Sequence, residues 1–171
     1  MYNLNNNNKP LKQNIRDEIE DIVKYQNIDR SRFHEFDKHR YNDIINKFYY
    51  TFFDYEKYKN ISLDYLWLKL RSDIQFEIVQ SNLLCNWEEY ISNIKKYFSA
   101  ENKTYYLILS QGWVYEGYIS EIQKVLLETT GWIDDFYIVS KKFDKVVCHC
   151  DDGDNMSVFE KILPSNSNSC T

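Results

Sequence analysis

Two cysteines, a histidine and three aspartates crowd into "VVCHCDDGDNM", Val146 to Met156. Such a composition could hold a metal ion, supply an acid–base pair or simply turn a corner. If Lys145 to Cys150 is a strand, its side chains alternate, so Cys148 and Cys150 share one face and His149 points from the other. The three then cannot converge on one ion without a bulge, and Cys85, His34 and His39 stand at no zinc-ligand spacing. "DDGDN" lacks the D-x-D-x-D-G order and distal glutamate of a calcium loop. Asp152-Gly153 is instead a hairpin signal, because both positions tolerate positive φ. No metal and no cofactor is expected here, and the cysteines read as small buried residues beside an ordinary histidine.

"HEFDKH", His34 to His39, resembles a zincin helix motif but places its second histidine five residues on, about 140° around a helix. A surface Glu35–His39 contact is the expected reading. Gly112, Gly117, Gly131 and Gly153 form neither a dinucleotide fingerprint nor a Walker loop, and no G-x-S-x-G elbow occurs. No catalytic residue is therefore assigned. Arg30, Arg32, Lys38, Arg40 and Lys47 interleave with aromatic residues between positions 30 and 53, a pattern that could bind single-stranded nucleic acid. Glu35, Asp37 and Asp43 interrupt that stripe, so nucleic acid is a disfavoured alternative.

The stretch that suggests function is "SQGWVYEGY", Ser110 to Tyr118, followed by "GWIDDFY". After the carboxyl end of a first strand, Trp113, Tyr115 and Glu116 are expected in a loop at the rim of a sheet, where binding sites concentrate. Asp134 and Asp135 enter the next strand and are expected at the opposite rim, joined there by Asp151, Asp152 and Asp154 of the following turn. These eight residues form the candidate partner-binding set: exposed rings as anchors and carboxylates for steering. A small enzyme with a pocket near Trp113 and Glu116, its carboxyl pKa raised, is the competing class.

Other segments must position these residues. "LKQNIRDEIEDIVKYQN" reads as an amphipathic helix, residues 31–55 as a second helix broken once, and "SLDYLWLKL" as a third behind a Ser62 cap. "IQFEIV" alternates like a strand but lies between helical patterns. "NWEEYISNIKKYF" begins with a capping-box pair, Asn86 and Glu89. "TYYLILS", "FYIVS" and "KVVCHC" read as strands, with the helix "YISEIQKVLLET" between the first two and Gly131 closing it. That succession implies a parallel pair joined by a crossover, then an antiparallel neighbour. The fold class expected is α+β, with an α/β-like C-terminal half. N-terminal helices would pack on a small mixed sheet of three or four strands, containing one βαβ unit and a C-terminal hairpin.

The 171 residues suit a single domain at 9–163 between a flexible N-terminus, 1–8, and a flexible tail, 164–171. No signal-peptide pattern and no apolar run of membrane-spanning length is seen, so a cytoplasmic location with free thiols is expected. The formal charge of −5 divides as +1 over residues 1–60, −2 over 61–120 and −4 over 121–171. An acidic C-terminal third favours a basic partner over a polyphosphate.

"YLILSQGWVYEGYISEIQKVL" followed by "DDFYIVSKKFDKVVCHCDDGD" resembles small bacterial proteins of the immunity-protein kind over roughly residues 86–155. The chain departs from that pattern at Lys145, where tryptophan is usual, and at Asp151 and Asp152, where histidines are. The resemblance implies a non-catalytic protein-binding domain that docks a basic, toxin-like partner.

Overall fold

The computed structural model describes residues 11–57, 63, 66–80, 87–98, 102–129, 133–150 and 155–161. Ile15, Ile19 and Val23, each four positions from the next, bury one face of helix α1 (Leu11–Tyr25). Asn27, at φ 50°, ends it. The N–H of Asn27 donates to Lys24 O and that of Ile28 to Val23 O, a Schellman stop whose hydrophobic partners, Ile28 and Val23, are both buried.

Residues 31–55 are not one interrupted helix. Phe33–Glu35 form strand β1, Lys38–Arg40 a 3-10 turn and Tyr41–Phe52 helix α2. Phe33 and Phe36 fit helical spacing, but pairing with the sheet overrides that local preference. Of "SLDYLWLKL", Leu66–Lys69 form a single 3-10 turn. "IQFEIV" belongs to strand β2 (Ile74–Gln80), and Trp87–Asn93 form helix α3, continued by a 3-10 turn at Ile94–Tyr97. Ser62, Asn86 and Gly131 lie outside the described residues, as do both expected flexible ends.

The remaining elements are β3 (Thr104–Leu109), β4 (Val114–Tyr118), α4 (Ile119–Leu127), β5 (Phe136–Ser140), β6 (Lys145–Cys150) and β7 (Asn155–Lys161). They form one seven-stranded sheet in the order β1-β4-β3-β5-β6-β7-β2. Every adjacent pair is antiparallel. This overturns the expected small mixed sheet with an adjacent parallel pair. "VYEGY" is the cause: it is a strand rather than a loop. The turn after Leu109, with Gly112 at φ 83°, reverses the chain before α4 begins. β5 consequently lies beside β3 but antiparallel to it, with β4 on the other flank.

Helices cover both faces. Phe136, Ile138 and Ser140 share a face with Val147 and His149, beneath α3; Tyr105 joins it and packs on Phe98, their ring centroids 4.5 Å apart. Tyr137 and Cys148 face the other way, toward α2, where Phe48 lies 5.1 Å from the Tyr137 ring. The Tyr137 hydroxyl donates to Leu63 O at 2.7 Å. A core rich in Phe and Tyr fills both interfaces, which absorbs most of the aromatic residues that otherwise read as binding material.

Candidate functional site

The expected partner-binding residues divide sharply. Trp113 and Tyr115 are 7% and 0% exposed. Trp113 meets Tyr41 edge-on, with the Arg16 guanidinium 5.7 Å and the Lys38 ammonium 5.1 Å from its ring centroid. Tyr115 stacks on Phe33, and its buried hydroxyl has no hydrogen-bond partner among the described residues. Neither ring is a surface anchor, because the Phe33 ring covers Tyr115 while Tyr41, Arg16 and Lys38 enclose Trp113. Glu116 accepts from Thr104 Oγ1 at 2.9 Å and pairs with Lys141. Trp113 meets Tyr41, Arg16 and Lys38 whereas Glu116 meets Thr104 and Lys141, so the two expected pocket residues share none of these partners.

Asp134 is exposed and Asp135 is 2% exposed. They lie on the same rim as the 110–113 turn, not the opposite one: Ser110 N donates to Asp135 O at 3.1 Å, and Gln111 Nε2 to Asp134 Oδ2 at 3.4 Å. Antiparallel pairing of β3 with β5 forces this placement. Asp151, Asp152 and Asp154 lie outside the described residues.

In the "VVCHC" segment the alternation holds. Cys148 and Cys150 are buried free thiols, and burial raises the pKa of Cys148 well above its ordinary value. His149 enters the other face, stacked on Phe136 and edge-on to Trp87 and Tyr90. Its Nδ1 is hydrogen-bonded to the Tyr90 hydroxyl at 2.5 Å. Among the described residues no group of three or more His, Cys, Asp or Glu side chains could hold a metal ion. Cys85 lies outside them. His39 is exposed, and Glu35 takes Arg16, Tyr41 and Lys38 as partners. Residues 30–53 present no single cationic stripe. Arg32 pairs with Glu121, Arg40 lies over Phe36 and Lys47 over Phe143.

The feature that sequence reading missed lies at the opposite rim, where β3 and β6 begin and β7 ends. A groove of about 620 Å³ is lined there by Lys96, Lys103, Lys141, Lys142, Lys145 and Lys161, against two carboxylates, Asp144 and Glu160. One wall is the β5–β6 turn. Phe143 adopts φ 56° in it, and Ser140 Oγ accepts from the N–H groups of Asp144 and Lys145 at 3.1 and 3.2 Å. Burial of the Phe143 ring against Tyr106 offsets the cost of that left-handed backbone. The other wall is the 3-10 turn bearing Lys96 and Tyr97, anchored by Phe98 on Tyr105.

Lys145 pairs with Glu160, and Lys141 with Glu116 while lying 3.9 Å from the Tyr106 ring centroid. Lys96, Lys103 and Lys142 are exposed and have no ion-pair partner among the described residues. Burial pushes the Tyr97 phenol up, helped by the Glu77 carboxylate, so its hydroxyl keeps its proton. Window by window the signal is invisible, since these lysines run from Lys96 to Lys161 with a gap of 38 positions between Lys103 and Lys141, and are interleaved with acids.

Three carboxylates tie separate elements together: Glu35 joins β1 to α1 and α2, Glu116 joins β4 to β3 and the β5–β6 turn, and Glu121 joins α4 to Arg32 before β1. Burial raises each of Glu35, Glu116 and Glu121. Hydrogen bonds outweigh it: Tyr41 and Arg16 on Glu35, Lys141 and Thr104 on Glu116, Lys124 and Arg32 on Glu121. All three end below the usual value of 4.5. A depressed folded pKa contributes stability above the unfolded value and loses it as pH falls through the folded one. The urea unfolding midpoint is accordingly expected to hold from about pH 7 to about pH 5 and to fall below about pH 4.5. A midpoint unchanged down to about pH 3 would show that these pairs contribute nothing.

No helix among the described residues is long and apolar enough to cross a membrane. No curated protein and no solved structure matches the chain. One family does, from residue 11 to residue 169, and by that match the chain belongs to the family of unknown function DUF6756.

Proposed function

We propose that this protein is a binding domain that takes an anionic partner into the lysine-lined groove. The observation that carries this reading is convergence. Lysines from the turn after α3, the entry to β3, the β5–β6 turn, β6 and the end of β7 meet around one hollow, although the whole chain carries −5. Ammonium groups gathered this way repel one another, and an anion placed among them relieves that repulsion. The groove also lies within the usual size of a ligand site. Lysine supplies compact, hydrated point charges, which suit phosphate and carboxylate groups without fixing a bidentate geometry.

Docking of a basic partner at the acidic rim, expected of an immunity-like protein, has less support. Its anchors Trp113 and Tyr115 are enclosed, and of its described aspartates Asp134 is exposed while Asp135 is buried.

Calorimetric titration of the full chain with inorganic tripolyphosphate tests the reading. Affinity should fall as salt rises. Lys103→Glu with Lys142→Glu should weaken it at least about tenfold while leaving the melting temperature nearly unchanged, because both side chains are exposed. Affinity indifferent to salt and to this double substitution would remove the groove as a binding site.

A further inference from the structure

A second, smaller recess of about 190 Å³ shares Tyr97, Lys145 and Glu160 with the groove. Its other lining is chemically different: Val79 and Val158 are apolar, while Gln75 and Glu77 offer an amide and a carboxylate. All four come from β2 and β7, and in the ladder Gln75 stands opposite Glu160 and Glu77 opposite Val158. Among the described residues, Tyr97 of the 3-10 turn after α3 is the one lining residue that comes from outside the sheet. Tyr97, partly exposed, stands between the two lobes.

We infer that the ligand is a nucleotide, its phosphates among the lysines and its base in the recess against Tyr97. This rests on the anion-binding reading above and adds the second lobe. Glu77 repels phosphate, so only one orientation of a molecule with an anionic end and a flat end satisfies both lobes. Val79, Val158 and the Tyr97 ring provide the apolar surfaces that a base plane covers, and stacking of this kind adds affinity without regard to sequence. A carboxylate accepts from an exocyclic amino group, and a side-chain amide can pair with the adjacent edge of adenine. Bases that carry an amino group should therefore be preferred. The same phosphate, ribose and base chemistry is offered by a free nucleoside triphosphate and by the 5′-phosphorylated end of an RNA.

Titration of the full chain with ATP, inosine triphosphate, tripolyphosphate and a 5′-phosphorylated oligoadenylate, at low salt without divalent ions, separates the possibilities. ATP should bind at least about tenfold tighter than tripolyphosphate. Inosine triphosphate, which lacks the amino group, should fall several-fold below ATP. Tyr97→Ala should abolish the advantage of ATP and leave tripolyphosphate unaffected. Tyr97→Phe keeps the ring and should keep the advantage, which guards against a misfolded alanine variant. Glu77→Gln should narrow the gap between ATP and inosine triphosphate. Oligoadenylate tighter than ATP supports the inference with an RNA end as the source, and ATP equal or tighter supports it with the free nucleotide. If tripolyphosphate binds and ATP binds no better, the nucleotide inference is overturned while the anion groove stands. If neither binds at low salt, both fall.

Discussion

Phe33→Ala is expected to lower the unfolding free energy by about 3–5 kcal/mol, the range for emptying a fully buried aromatic site. For a chain of this size that corresponds to a fall of roughly 6–20 °C in melting temperature. Phe33 is 0% exposed and lies 5.2 Å from Tyr115 with the rings 6° from parallel. The Gly117 site makes the packing specific: a Cβ there would stand 2.6 Å from Phe33 Cδ2 and 3.0 Å from Arg32 O. Glycine is what lets β1 approach β4. Losing the ring does more than open a cavity, because β1 is three residues long and carries Glu35, which receives hydrogen bonds from Arg16 Nε and the Tyr41 hydroxyl, both at 2.7 Å. Urea unfolding provides the measurement. Gly117→Ala should also destabilise, but less so in the Phe33→Ala background, where the 2.6 Å clash with Cδ2 is gone and only Arg32 O at 3.0 Å and the Cβ of residue 33 at 3.2 Å still crowd it. Equal penalties in both backgrounds would mean that ring and glycine do not depend on each other.

His149→Ala should cost about 4 kcal/mol, from the cavity it leaves and from a Tyr90 hydroxyl deprived of its ring partner in a dry environment. Tyr90→Phe, which removes the bond but keeps the packing, should cost about 1–2 kcal/mol. Trp87 lies 5.3 Å from the imidazole centroid and its indole donates to Leu126 O at 2.8 Å, so it reports on the same joint. A red-shifted tryptophan emission should accompany the loss of stability. A loss for His149→Ala no larger than that for Tyr90→Phe would mean that the imidazole contributes a hydrogen bond and little packing. The histidine that most resembles a chemical group in the sequence is thus a structural rivet between β6 and α3.

Much of the local structure was legible, and the misreadings have identifiable causes. The helical repeats of α1 and α4 are strong because each buries one face, and β3, β5 and β6 read as continuous apolar runs because both of their faces are covered. "VYEGY" carries a loop signal in isolation because it is short, holds a glycine and follows β3 closely. Its strand character comes from pairing on both flanks, with β1 on one side and β3 on the other. Recognising "SQGW" as a hairpin turn would have changed the topology, since one extra strand converts the expected parallel pair into an antiparallel one. The same extra strand places Asp134 and Asp135 on the rim of the 110–113 turn and encloses Trp113 and Tyr115.

The groove was illegible for a different reason. The last third of the chain sums to −4, yet Lys141, Lys142, Lys145 and Lys161, four of its lysines, line the hollow together with Lys96 and Lys103. Charge summed along a chain averages over acids that the fold sends elsewhere. Ladder register, which places Lys145 opposite Glu160 and Tyr105 opposite Ser140, decides which cations become neighbours.

From sequence alone came the alternation that separates Cys148 and Cys150 from His149, and the amphipathic faces that demand a shared core. These are properties of near neighbours, dictated by the 2.0 and 3.6 residue repeats of the backbone. Tertiary structure alone decided the strand order, the burial of the candidate rings and the gathering of lysines at one rim. Those depend on contacts between residues far apart in the chain, whose free energy belongs to no local window.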